Sequence, residues 1–285
     1  MDVYSMVAQR IISELEKGII PWHKPWSTTA GAISHSTGKP YSLLNQMLLG
    51  GQCGEYLTFQ QAQKEGGHVR KGEKGNIIVF YKFLTSIDEE TGEVTEIPYL
   101  KYITVFHTSQ CEGIQPRFIA SQPILHPIAA HEAAEAIIKD YVARSGVHLT
   151  HCSGNRAFYR PATDEVVLPL REQFSTSPEY YSTAFHELVH STGHPSRLNR
   201  LSKPSFFGTE DYSKEELVAE IGAAALISHV GLETAGSLRN NAAYINHWLG
   251  VLKEDKRLLV SAAGQADKAV RLILGEEADN DVLEG

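Results

Sequence analysis

The segment PEYYSTAFHELVHSTGH, residues 178–194, sets two histidines four positions apart with a glutamate beside the first. Residues four apart share one face of a helix, so the imidazoles of His186 and His190 can reach a single ion. Glu187 is then placed to take a proton from a water held by that ion, whose pKa zinc lowers to about 7. The chemistry implied is metal-assisted hydrolysis of a carbonyl compound, with Zn2+ or another divalent ion such as Mn2+ as cofactor. Ser177 can cap the helix and Pro178 can take its first position, so the start of the helix is written just ahead of the motif.

Two histidines need a third protein ligand. The extended pattern HExxHxxGxxH would supply a histidine at position 196; Gly193 matches, but position 196 is Ser196. That class also needs a downstream methionine turn, and Met1, Met6 and Met47 all lie upstream, which excludes it. The stretch DYSKEELVAEIGAAALISH is the better source. Ser213 and Glu216 have the spacing of a capping box, which would give Glu216 a structural task. Glu215 would fall in the first helical turn, where a carboxylate suits the helix dipole. Glu220 has neither role, lies among small apolar residues, and as a buried carboxylate would need a partner. Glu220 is therefore the expected third ligand, with Glu216 the alternative and a possible outer partner, and His194 the outside choice.

The rest of the chain must position these groups. At 285 residues two domains are expected, and no apolar run is long enough to cross a bilayer. The N-terminus reads as an amphipathic helix over 2–17, without a basic start followed by an apolar block, so a cytoplasmic location and no membrane partner are expected. Cys53, Cys111 and Cys152 form no paired motif, and idle thiols are expected. Residues 1–120 read as a small α+β module: short helices, then two β-rich runs around NIIVFYKFL and YLKYITVFH. The proline-bearing stretch GIQPRFIASQPILHP marks a linker at 121–127. From residue 128 the pattern turns mainly helical, with strands at HLTHC, AFYR and VVLP ahead of the motif and helices near 178–192, 214–230, 237–254 and 257–274. That order suits an α+β chain ending in a zinc-peptidase domain, and AFYR or VVLP could pair with an extended peptide.

Charge is uneven. Residues 1–120 carry 11 basic against 12 acidic side chains, and residues 121–285 carry 15 against 22. A globally acidic chain is not an obvious nucleic-acid binder, so such a role must rest on a local patch. Arg70, Lys71 and Lys74, interleaved with glycines, form a cationic loop suited to phosphates. Trp22, Trp26, Phe59, Tyr81 and Phe83 could offer stacking faces to unpaired bases, although aromatics of a small domain also fill its core.

Taken together, IPWHKPW, TGKPYSLLN, YLTFQQAQKEGGHVRKGEKG and VFYK in the first half resemble the ArdC-type antirestriction proteins of conjugative plasmids. So do VVLP, YYSTAFHELVHSTGHPSRLNR, YSKEELVAEIGAAAL and NHWLGVLKEDKRLLVSAAGQADKA in the second. Similar N-terminal regions occur in plasmid primases. The resemblance implies an N-terminal domain that binds single-stranded DNA, a mainly helical zincin-like metallopeptidase domain with a small sheet, and protection of incoming plasmid DNA from restriction. It carries His186, Glu187, His190 and Glu220 over as the metal site, and leaves the peptide substrate open. Two other readings stay in view: a metallopeptidase whose N-terminal domain only recruits substrate, and a DNA-binding protein whose metal site is not catalytic.

Overall fold

The computed structural model describes residues 2–17, 20–21, 31–50, 52–87, 94–118, 127–154, 156–174, 176–201, 210–232 and 242–276. The linker expected at 121–127 falls, up to residue 126, outside them. Helix α1 (Val3–Glu16) starts where the Asp2 side chain accepts from the Ser5 amide, and its buried face is Val7, Ala8, Ile11 and Leu15. Then come β1 (Ala32–Ser34), α2 (Leu43–Leu48), β2 (Gly54–Leu57), α3 (Phe59–Lys64), β3 (His68–Val69), β4 (Asn76–Ile87), β5 (Val94–His107) and β6 (Cys111–Glu112). Four of these strands form a sheet of order β1-β2-β5-β4, while β3 pairs with β6. β4 and β5 are the two β-rich runs, joined antiparallel with Ile78 opposite Ile103.

The short helix α2 explains how this sheet is held. Its neighbouring amides Asn45 and Gln46 are buried and each serves one of the two edge strands. Asn45 donates to the Val79 carbonyl (2.8 Å) and accepts from the Val79 amide (2.7 Å) on β4. Gln46 does the same for Ala32 on β1, at 2.9 Å in both directions. Unpaired edge groups are thereby satisfied without a further strand.

The second half contains α4 (Pro127–Ser145), β7 (His148–Cys152), β8 (Phe158–Arg160), β9 (Glu165–Pro169), α5 (Ser177–Ser191), α6 (Glu210–Val230), α7 (Ala242–Glu254) and α8 (Leu258–Leu274). β9 is central, parallel to β7 and antiparallel to β8. The largest apolar core gathers Phe185, Leu188 and Val189 of α5, Leu217 and Ile221 of α6, and Ala262, Ala266 and Ile273 of α8. It continues into the first half through Val7, Ile11 and Leu15 of α1, Leu44, Met47 and Leu48 of α2, and Val79 of β4. The α5–α6 approach is close because Gly222 faces Val189: a Cβ there would lie 2.8 Å from a valine methyl. The fold is thus mixed α and β, with the sheet-rich part first and the helical part last. Among the described residues no cysteine forms a disulfide, and no described helix is long and apolar enough to cross a membrane.

Candidate metal centre

Thr176 caps α5, accepting from the Glu179 amide, with Pro178 in the first turn. The cap thus falls one residue before the expected Ser177, which is already helical. The helix packs against β8, β9 and α6. Tyr180, Ala184, Phe185 and Leu188 lie in the core, and His186 and Glu187 are also buried.

One turn apart, His186 Nε2 and His190 Nε2 lie 3.1 Å from each other. Glu216 of α6 completes a triangle, its oxygens 3.7 Å from His186 Nε2 and 3.6 Å from His190 Nε2. Ligand atoms on a tetrahedral zinc at 2.0–2.1 Å stand about 3.3 Å apart, so these three edges fit one small divalent ion. Two imidazoles and a carboxylate are also a donor set that such ions accept. Among the described residues, no other group of three His, Cys, Asp or Glu side chains converges in this way.

Glu220, the expected third ligand, is not in that set. The reason lies in where α6 begins. The capping-box reading required Ser213 at the helix boundary, but the helix already includes Glu210, so Ser213 is an interior residue. Glu216 therefore has no capping task and faces the histidines, while Glu220 is one turn further along and buried in α6. The side chains that converge are thus His186, His190 and Glu216, with Glu187 next to His186 on α5.

Glu215 turns to the other side of His190, its Oε1 accepting from Nδ1 at 3.2 Å. Burial works to lower the His190 pKa, but the Glu215 hydrogen bond and the charges of Glu187, Glu215 and Glu216 outweigh it and push it up to about 9. Burial conversely works to raise Glu215, and hydrogen bonds from His190 and Arg200 outweigh it, holding the carboxyl below its ordinary value. His194 is no ligand: its Nδ1 accepts from the Ser196 amide and meets the Ser196 hydroxyl within the following turn. That turn is pinned by Arg197, which pairs with Asp164 in the β8–β9 turn (2.9 Å from Nη1 to Oδ2) and donates to the Ser191 carbonyl at the end of α5 (2.8 Å).

The N-terminal candidates are arranged differently. Arg70, Lys71 and Lys74 lie on the exposed turn between β3 and β4. Arg70 is engaged by Glu73 at 2.8 Å, and Glu73 also accepts from Gln110, which fixes the turn. Trp22 and Trp26 lie outside the described residues, as do the side chains of Tyr81 and Phe83. Phe59 is 47% exposed at the start of α3. Tyr102, not singled out from sequence, is equally exposed on β5. Strand alternation puts it on the same side as Thr104, which Gly75 of the cationic turn approaches closely. Only a known strand register could have revealed that pairing.

With this geometry in view, the relatives are informative. Residues 132–265 match the family model of a zincin-like metallopeptidase, and residues 1–106 match the N-terminal domain of anti-restriction factor ArdC. The metal-free structure of the antirestriction protein ArdC from plasmid R388 is 36% identical, with a TM-score of 0.71, over 96% of this chain and 97% of that one. Its Mn(II)-bound structure gives 34% identity and a TM-score of 0.74, covering 98% of this chain and all of that one. The chain belongs to the ArdC family. An Escherichia coli DNA primase TraC is 38% identical over 96% of the chain, and a second is 35% identical over a similar span. The chain spans only 27% and 20% of those primases' lengths.

In this ArdC-family chain the small sheet limits where an extended peptide could pair. β9, which carries VVLP, pairs with β7 along its whole length and with β8 only at Glu165, Val166 and Val167. β8, from AFYR, is an edge strand and packs against α5. Of the two strands proposed from sequence, β8 offers a full edge for strand addition, and β9 only the stretch at Leu168 and Pro169 beyond its pairing with β8.

Proposed function

We propose that this chain joins a single-stranded DNA-binding region, residues 1–120, to a metal-dependent peptidase domain, residues 128–285, and protects incoming plasmid DNA from host restriction during conjugation. The observation that carries the enzymatic half is the convergence of His186, His190 and Glu216 beside the buried Glu187. The zincin-like family model and the Mn(II)-bound relative support a divalent ion, zinc or manganese. Such an ion, when bound, supplies a Lewis acid and lowers the pKa of water toward 7. Glu187 receives the proton on its carboxylate and returns it to the leaving amine. His186 and His190 hold through Nε2, Glu216 through a carboxylate oxygen, and the β8 edge aligns an extended peptide. On the DNA-binding half, Lys71 and Lys74 face phosphates, Arg70 borders them, and Tyr102 offers a stacking face; Trp22 and Trp26 remain sequence-based candidates.

The test is metal content and peptide cleavage of the purified chain, wild type beside His186→Ala, Glu216→Ala and Glu187→Gln. About one divalent ion per chain, lost in the first two and kept in the third, establishes the site; cleavage lost in all three establishes catalysis. Antirestriction that persists in Glu187→Gln would instead assign the chain to DNA occupation with a non-catalytic metal site. Wild-type protein that takes up neither zinc nor manganese would sink the hydrolase reading.

A further inference from the structure

The turn after α5 delivers a buried arginine that ligation itself does not require. Arg200 is 8% exposed at its side chain, and each of its three guanidinium nitrogens donates a hydrogen bond. Nε donates to Glu215 Oε2 at 2.9 Å and Nη2 to Glu215 Oε1 at 2.8 Å. Nη1 reaches the Thr192 hydroxyl at 2.9 Å, and Nη2 also reaches the Val189 carbonyl at 2.9 Å. We propose that Arg200 is a positioning residue of the metal centre: it selects Glu216 over the adjacent Glu215 as the carboxylate that faces the ion, and it fixes the tautomer of His190. The proposal rests on the reading that His186, His190 and Glu216 hold that ion.

The argument is one of lone pairs. Glu215 Oε1 accepts from both Arg200 Nη2 and His190 Nδ1, and Oε2 is taken by Arg200 Nε. A carboxylate so occupied cannot swing round to ligate. A neutral imidazole that donates from Nδ1 presents its Nε2 lone pair, here on the side of His186 and Glu216. Without the fork, two neighbouring glutamates could compete for the ion and His190 could take either tautomer. Lysine is no substitute, because it offers a point charge instead of a planar bidentate fork. Arg200 also binds the last turn of α5, where a cation suits the helix dipole.

The backbone is shaped to deliver this side chain. After α5 the chain doubles back, with the Leu198 amide on the Thr192 carbonyl and the Leu201 amide on the Gly193 carbonyl, at 2.9 and 2.8 Å. A Cβ on Gly193 would lie 2.9 Å from Leu201 and 3.1 Å from the His190 carbonyl, so glycine is what lets the return segment close.

The experiment titrates the metal-depleted full-length chain with Mn2+ and Zn2+ by calorimetry, comparing wild type, Arg200→Lys, Arg200→Gln and Glu215→Gln. Nitrogen NMR of the histidine rings in the Zn2+-loaded chain, where His190 is neutral, reports its tautomer. The expected result is about 10–100-fold weaker metal binding in Arg200→Gln and Glu215→Gln, only partial recovery in Arg200→Lys, and a mixed His190 tautomer in the arginine variants. If Arg200→Gln does not fold, Glu215→Gln and Arg200→Lys decide the matter alone. Affinities within about threefold of wild type in those two, with His190 still an Nδ1–H tautomer, would overturn the proposal. Wild type that binds neither ion overturns the metal centre itself, a distinct result.

Discussion

His186, Glu187 and His190 sit on one helix, packed into the main core and faced by a second helix that brings Glu216. Lys71 and Lys74 extend from a turn into solvent, and the nearest organised charge, Arg70, is bound to Glu73. The first region is organised before any ligand arrives. Its carboxylates and imidazoles lie within hydrogen-bonding or ligand distance of one another and are buried or half-buried, where electrostatics is less screened than at the open surface. The second region has an ordered backbone, held by Glu73 and Gln110, but its lysines reach into solvent, and the contacts they can make are those that salt weakens. A metal centre needs sub-ångström placement; a surface for an unspecific polyanion does not. The difference should appear in how each region responds to single substitutions.

The largest effect is expected at the ligands. His186→Ala or Glu216→Ala should lower metal affinity by more than about 100-fold, beyond what outer partners are worth, and leave single-strand binding unchanged. Metal analysis after dialysis, beside a DNA titration, checks both. A parallel loss of DNA affinity would show that the two regions are coupled through the core they share. Next comes Glu187→Gln, expected to keep the ion and to slow peptide hydrolysis by about 10²–10⁴-fold, the usual worth of a general base. Undiminished turnover would remove Glu187 from catalysis.

These predictions name Glu216 where the sequence pointed to Glu220, and the reason is instructive. The motif helix is legible because its signals are local: a proline, a polar cap and two histidines at helical spacing. The small residues around Glu220 are equally local, and one of them, Gly222, is where α6 comes close to Val189 of α5. The third ligand depends on where α6 starts, and the sequence holds two starts that compete. Ser213 with Glu216 reads as a box, yet the helix includes Glu210. With the helix starting earlier, it is Glu216, one turn before Glu220, that converges with the two histidines. Asn45 and Gln46 are a further case. Their task of satisfying two edge strands depends on a sheet order that no local pattern encodes. Arg200 and Tyr102 stayed hidden for the same reason, since each acquires meaning only from residues far away in sequence or on another strand.

A third substitution tests the scaffold of the organised region. Arg197 is 6% exposed and binds Asp164 through two bonds, so Arg197→Ala strands a partly buried carboxylate and should cost roughly 3 kcal/mol in denaturant unfolding. Asp164 also gives the sign of the pH dependence. Burial works to raise its pKa, but hydrogen bonds from Arg197 and Tyr159 outweigh it and hold it below the ordinary 3.8. A carboxyl lowered in the folded state adds stability that is fully present above 3.8 and fades as acid carries it through its folded value. The gap between wild type and Arg197→Ala should therefore narrow below about pH 4. A gap that stays constant down to pH 3 would mean that the arginine acts through packing and its carbonyl contacts alone.

On the exposed region the expected effects are smaller. Tyr102→Ala should weaken single-strand binding by about 1–3 kcal/mol if a base stacks there, whereas Tyr102→Phe should leave it nearly unchanged, because the stacking face is kept. Equal losses in the two would point to the hydroxyl instead.

The smallest effect is also the one that best separates the two regions. Each phosphate neutralised on a single strand contributes about 0.7 to the slope of log affinity against log salt. Lys71→Ala and Lys74→Ala should each lower that slope by about this amount while costing little affinity at high salt. Arg70→Ala should change it less, because Glu73 already holds that guanidinium. Metal affinity, set by a half-buried cluster on other elements, should be insensitive to all three. A salt slope that is unchanged in the lysine variants would place the phosphate contacts elsewhere on the N-terminal region. A metal affinity that followed them would mean that the charge of the turn is felt at the metal centre, and that the two regions are not electrostatically independent.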